Sequence, residues 1–198
     1  MEIKVAGFVR NSFVDWPKKI AFAVFLGGCN FTCPHCHNHA IARASANRIP
    51  WGGVLDEIRQ QIGFIDGVVI SGGEPTAHPR LREIIGDVRA LGLPVKLDTN
   101  GSDFETLREL VETGQVDFVA MDIKAPLERY AELGFLGAAD AHGAVGNVRK
   151  SIAFLRANGV EFMFRTTPIP ELTARDLDGV KQLAGGAKWV RNDFVPTS

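Results

Sequence analysis

Six short apolar runs recur along the chain, separated by stretches with apolar residues at helical spacing. The runs are IAFAVFL (20–26), GVVIS (67–71), PVKLDT (94–99), VDFVAMDIK (116–124), VEFMFRTTP (160–168) and AKWVRNDFV (187–195). They are nearly continuous rather than alternating, the pattern of parallel strands covered on both faces. Helical periodicity occupies 54–62, 79–91, 104–113, 145–158 and 176–184. Asp103 is placed to cap the third of these helices, and Gly114 and Gly159 to stop the third and fourth.

Repeated βα units predict a parallel α/β fold. A complete eight-unit barrel takes about 250 residues, whereas these strands fit between residues 20 and 195. The pattern therefore predicts six units, as a laterally open, incomplete (β/α)6 barrel or as a doubly wound sheet. A single domain over 1–198 is expected, with 1–19 as an N-terminal extension and 20–198 as the α/β body. Either architecture gathers ligands at the C-terminal strand ends. The conspicuous polar residues fall there: the cysteines after the first strand, Glu74 after the second, Asp98 in the third, Asp122 and Lys124 in the fourth, and Arg165 in the fifth.

Composition narrows the class. The chain is 45% hydrophobic and 23% charged, with a net charge of -1, so no bulk attraction to nucleic acid or an anionic membrane is expected. The N-terminus MEIKVAGFVRNSF lacks the apolar run of a secretory signal, and no apolar segment approaches transmembrane length. A cytoplasmic location is expected. All three cysteines lie in GGCNFTCPHCHNH (27–39), at x3 and x2 spacing. Three clustered thiols point to metal or redox chemistry rather than to a disulfide framework.

Soft thiolates select zinc, copper(I) or iron–sulfur clusters. A four-iron cluster normally takes four cysteines. Cys29, Cys33 and Cys36 would leave one corner open for a cofactor. A zinc site completed by His35, His37 or His39 is the bland alternative, and a Cys33–Cys36 redox pair is another. Gly72 and Gly73 let a ligand approach bare backbone, and their carbonyls with Glu74 suit an ammonium group. Asp98, Thr99 and Asn100 precede a turn glycine. Asp122 and Lys124 share one strand face. Arg165, among Phe and Met, needs an anionic partner.

These motifs together resemble the radical S-adenosylmethionine superfamily. Cys29-x3-Cys33-x2-Cys36 followed by His37-Asn38, then GGEP, DTNG and DIK in order, is similar to the activating enzymes of glycyl radical enzymes. GFVRNSFVDWP and FLGGCNFTCPHCHN are most similar to the anaerobic ribonucleoside-triphosphate reductase activating proteins. The resemblance implies the incomplete barrel, with Cys29, Cys33 and Cys36 holding a [4Fe-4S] cluster that chelates S-adenosylmethionine. Gly72, Gly73 and Glu74 would hold its amino group, and Pro75 would fix that loop. His35 and Asn38 would lie near adenine, Lys124 and Arg165 near the carboxylate and ribose, and Asn100 beside the cofactor. Asp98, Thr99 and Asp122 match positions that hold a monovalent cation in relatives.

The implied activity is reductive cleavage to a 5′-deoxyadenosyl radical, which takes a hydrogen atom from a glycine of a partner. The partner implied is anaerobic ribonucleoside-triphosphate reductase, and the reductant flavodoxin or ferredoxin. With no further cysteine, no auxiliary iron–sulfur domain is expected. A radical enzyme acting on a small molecule or peptide, and a zinc-stapled α/β binding module, are the alternatives. The segments 40–50 and 133–144 read as irregular loops.

Overall fold

The structure is a computed structural model that describes residues 2–136 and 141–196. In chain order its strands and helices begin with β1 (Lys4–Val5), β2 (Gly7–Ser12), β3 (Ala21–Leu26), α1 (His39–Ala42), β4 (Ile49–Pro50) and α2 (Trp51–Gln61). β5 (Gly67–Gly72), α3 (Leu81–Ala90), β6 (Val95–Thr99), α4 (Phe104–Glu112) and β7 (Phe118–Asp122) follow. The last four are α5 (Ala141–Ala157), β8 (Glu161–Thr166), α6 (Ala174–Ala184) and β9 (Trp189–Arg191). Among the described residues no helix is long and apolar enough to cross a membrane.

The main sheet has seven strands in the order β2-β3-β5-β6-β7-β8-β9. The six expected strands are present, and all six are parallel. Because neighbours follow sequence order and right-handed crossovers are the rule, the helices fall on one face and the sheet curls as a partial barrel. A doubly wound sheet would reverse its strand order midway. The sheet does not close: β2 and β9 are its two edges.

Four regions depart from the expected outline. The N-terminal segment is not a mere extension: β2 adds an antiparallel strand beside β3, and β1 pairs with β4 in a separate two-stranded sheet. Within 40–50, the expected loop carries part of α1, a short 3-10 turn and β4. Part of the irregular 133–144 segment, 137–140, lies outside the described residues, and 141–144 is already α5. The sixth parallel strand is only three residues long, with one further backbone bond from the Asn192 N–H to the Thr166 carbonyl.

Strand alternation sorts the interior into two compartments. One face of the strands carries Phe22, Val24, Leu26, Val68, Ile70, Leu97, Val119 and Met121, which pack with Ile58, Ile84, Val88 and Leu107 of the helices. The opposite face carries Ala21, Ala23, Val69, Phe118, Ala120 and Met163, packed around Trp16. The small alanines there leave space inside the curl. Trp16, from the β2–β3 connection, closes the end of the curl away from the strand C-termini and is 3% exposed. A Cβ on Gly67 would lie 2.8 Å from the indole, so the absent side chain makes room for it. The ring also carries Lys19 Nζ 4.2 Å above its centroid.

Trp16→Ala empties this plug and should destabilise the fold by about 3–5 kcal/mol in urea unfolding. Phe64→Ala, at a side chain 73% exposed, should stay within about 0.5 kcal/mol. Equal effects would contradict the two-compartment interior.

Candidate active site

The C-terminal strand ends enclose a cavity of about 310 Å³. Cys29, Cys33, His35, Cys36, Asn38, Gly72, Gly73, Glu74, Asp98, Thr99, Asn100, Asp122, Lys124 and Arg165 all line it. Residues up to 136 positions apart are thus brought onto one surface, as in the His35–Glu171 contact of 2.9 Å at the rim. Pro75 lies outside the lining, as the buried first residue of a 3-10 turn that fixes the loop after Glu74.

The cysteine loop is pinned on several sides. Asn47 Oδ1 accepts from the Gly27 N–H at 2.7 Å, while Asn47 Nδ2 donates to the Gly27 carbonyl at 3.2 Å. The Gly28 N–H donates to the Ile41 carbonyl, and the Thr32 N–H to the Phe135 carbonyl. Asn30 reaches across to Ser102 and Asn100. The three thiols are free and half-buried. Burial pushes the Cys29 thiol up to about 11, with the Phe31 N–H opposing. Burial likewise raises Cys33, with Lys124 opposing. Metal ligation therefore has to displace protons that the bare loop retains.

Next to the loop, Gly72 and Gly73 form a bare backbone wall. Gly72 has a φ of 122°, and a Cβ there would sit 2.3 Å from the Leu26 carbonyl oxygen. A Cβ on Gly73 would sit 2.0 Å from the Gly28 carbonyl oxygen. No larger residue fits while β3 and β5 remain paired. Glu74 turns its carboxylate inward and is 2% exposed. Oε1 accepts from Thr76 N–H (3.1 Å), Thr76 Oγ1 (2.6 Å) and Thr99 Oγ1 (2.7 Å), and Oε2 accepts from Asn100 N–H (2.6 Å). Burial raises its pKa, and those hydrogen bonds oppose the rise. The carboxylate thereby ties the GGEP turn to the end of β6.

The floor is a chain of charges. Asp98 bonds Lys96, Ser71 Oγ (3.0 Å) and Arg165 Nη1 (3.2 Å). Asp122 bonds Arg165 Nε (2.9 Å) and Lys124 Nζ (2.7 Å). At the expected monovalent-cation positions Asp98, Thr99 and Asp122, all three side chains have partners within the protein. Both carboxylates are already partnered by cationic side chains, and Thr99 Oγ1 is engaged by Glu74. Among the described residues no three His, Cys, Asp or Glu side chains assemble as a ligand set for a single metal ion. A thiolate set with one side facing a cavity, beside a glycine cradle, fits a cluster that carries a further ligand.

Several lining residues were not singled out by the sequence. Asp15, Ser71, Thr167 and Asn192 contribute polar atoms, and Phe25 and Ile169 apolar ones. Phe194 packs edge-on against His35 at 5.4 Å and lies 6.5 Å from His37, folding the C-terminal segment over the cysteine loop. Of the five floor side chains only Lys96 was passed over, and its inward parity with Asp98, two residues on, was the available signal.

Burial acts to raise both Asp98 and Asp122, but Arg165 outweighs it together with Lys96 at one and Lys124 at the other, so both pKa values fall below the ordinary range. Lowered values stabilise the fold above the unfolded pKa of about 4 and lose that contribution as pH falls through the folded values. Unfolding free energy should therefore drop as pH is lowered from about 4 toward 2. Asp122→Asn should cost about 3–5 kcal/mol at pH 7, because Arg165 and Lys124 lose a shared partner, and should show a shallower acid slope. An unchanged acid slope would contradict the pairing.

Comparison with known proteins agrees with this geometry. Residues 23–184 match the Radical SAM superfamily. A protein of Methanocaldococcus jannaschii named as a glycyl-radical enzyme activating enzyme is 34% identical over 95% of this chain and 77% of its own. The pyruvate formate-lyase-activating enzyme of Streptococcus mutans is 29% identical over 90% of this chain and 71% of its own. The fold also resembles that of Streptococcus suis SuiB bound to S-adenosylmethionine, with a TM-score of 0.63 and 13% identity. That match covers 86% of this chain and 38% of SuiB. A cysteine loop, a glycine cradle and a charged floor on one barrel rim thus sit within a matched domain, and the chain belongs to the radical SAM superfamily, whose members use a [4Fe-4S] cluster and S-adenosylmethionine.

Proposed function

We propose that this protein is a glycyl radical enzyme activating enzyme, and that its partner is an anaerobic ribonucleotide reductase. The observation that carries the first part is the correspondence over 95% of the chain with a relative named for that activity. The open sheet supports it. β2 and β9 do not pair, so the curl has a lateral gap through which a loop of a large partner can reach the cavity.

When bound, the cluster and S-adenosylmethionine supply reductive carbon–sulfur cleavage and the 5′-deoxyadenosyl radical that takes hydrogen from a glycine Cα. The chain's own residues bind and orient. Cys29, Cys33 and Cys36 hold the cluster from the pinned loop. Gly72 and Gly73 offer close backbone approach for the amino group, with Glu74 fixing their turn from beneath. Lys124 and Arg165 present cationic groups toward the carboxylate side. His35, braced by Glu171 and Phe194, and Asn38 border the adenine side. Trp16 blocks water from the far end of the curl. The electron comes from flavodoxin or ferredoxin in a reducing cytoplasm.

The test is electron paramagnetic resonance of reconstituted enzyme mixed with dithionite, S-adenosylmethionine and anaerobic ribonucleotide reductase. A glycyl radical doublet on the reductase is expected, with one 5′-deoxyadenosine formed per radical. Cofactor cleavage without a radical on this or any other glycyl radical enzyme would overturn the activase reading in favour of a small-molecule or peptide substrate.

A further inference from the structure

Lys96 is 0% exposed, in the middle of an apolar strand, and the chemistry proposed for the cavity gives it no task. Its position explains it. Alternation along β6 puts Lys96 and Asp98 on the inner face, where their side chains pair. From Asp98 the contacts run to Arg165, on to Asp122 and then to Lys124. Arg165 lies directly across from Asp122 in the β7–β8 register. Lys96 is therefore the deep terminus of a chain in which cation and anion alternate. Asp15, which lines the same cavity, also acts on its charge.

The rest of the inner face makes this terminus consequential. Ala23, Val69, Phe118, Ala120 and Met163 are apolar neighbours on this face, and Asp15, the further charged group acting there, is another anion and offers Asp98 no donor. Among the described residues Asp98 Oδ1 is bonded by Lys96 alone, while Oδ2 is shared by Ser71 and Arg165. Without Lys96, Asp98 Oδ1 loses its donor beside apolar side chains and a second anion, Asp15, and Arg165 has two carboxylates to neutralise with Lys124 alone to help. A buried carboxylate in that state draws in whatever cation fits.

We propose that Lys96 is a built-in cation that positions Asp98, and through it Arg165 and Asp122, so that this floor works without a bound monovalent metal ion. Lys96 is a positioning residue, not a catalytic one, since it touches the cofactor site only through Asp98. The inference rests on the proposed cofactor site for its effect on turnover. Its effect on ion dependence does not.

The experiment compares the reconstituted holoenzyme with Lys96→Ala, Lys96→Met and Lys96→Arg. Thermal unfolding and 5′-deoxyadenosine release are measured in sodium, potassium, ammonium and choline chloride at constant ionic strength. The wild type and Lys96→Arg should have the same Tm in all four salts, to within about 1 °C. Lys96→Ala in choline should melt about 10 °C lower. Replacing choline by ammonium or potassium should raise that Tm by about 3 °C and turnover severalfold, as an ion enters the vacated space. Lys96→Met fills the space without charge and should stay impaired in every salt. Ion-specific stability in the wild type would overturn the inference. So would equal, salt-independent losses in Lys96→Ala and Lys96→Met, or full turnover of Lys96→Ala in choline. Should Lys96→Ala not fold, the wild-type and Lys96→Arg salt series still decide. Failure of the activase reading would look different, as a missing glycyl radical with the salt series unchanged.

Discussion

The carboxylates of Asp98 and Asp122 cannot be buried at strand ends unless each is matched by a cation, and the cavity floor follows from that requirement. Arg165 serves both, Lys96 completes one and Lys124 the other. Removing either carboxylate strands a lysine, Lys96 or Lys124, at a cost of about 3–5 kcal/mol, and Arg165 couples the two pairs into one network. The result is a rigid polar floor beneath a ligand, not a loose set of surface ion pairs. Arg165 and Lys124 also keep donors turned to the cavity, and their positive charge is available to an anionic ligand group.

A second constraint acts above the floor. Glu74 has four hydrogen bonds within the protein, all from the GGEP turn or the end of β6. It locks two neighbouring strand ends to each other. The cysteine loop rests on the same framework, because Gly28 accepts from the Glu74 N–H and Asn30 contacts Asn100 and Ser102. Thiols, glycine cradle and charged floor are therefore fixed relative to one another through backbone and short polar side chains. Trp16 and the inner alanines keep the space below apolar and filled.

Much of this was legible in the chain. Near-continuous apolar runs located all six parallel strands, since burial on both faces removes the polar alternation. Fourteen named site residues reached one cavity because strand-end placement is set by topology; Pro75 stayed behind it as a turn residue. What was missed has physical reasons. β2 is half polar, as befits an edge strand with a solvent face, so GFVRNS gave no strand signal. Trp16 earns its burial only through Gly67, distant in sequence. Lys96 was passed over because it sits inside an apolar run and reads as a lone exposed charge. Its parity with Asp98 was the available clue.

The central claim is that the three thiols hold an iron–sulfur cluster which, with S-adenosylmethionine in the cavity, carries out reductive cleavage. Anaerobic reconstitution followed by iron and sulfide analysis and 5′-deoxyadenosine release under dithionite tests it directly, with Cys33→Ala alongside. The account predicts a brown wild-type protein with about four irons per chain that releases 5′-deoxyadenosine, and no release from Cys33→Ala. A colourless protein holding one tight zinc, or undiminished release from Cys33→Ala, would contradict it.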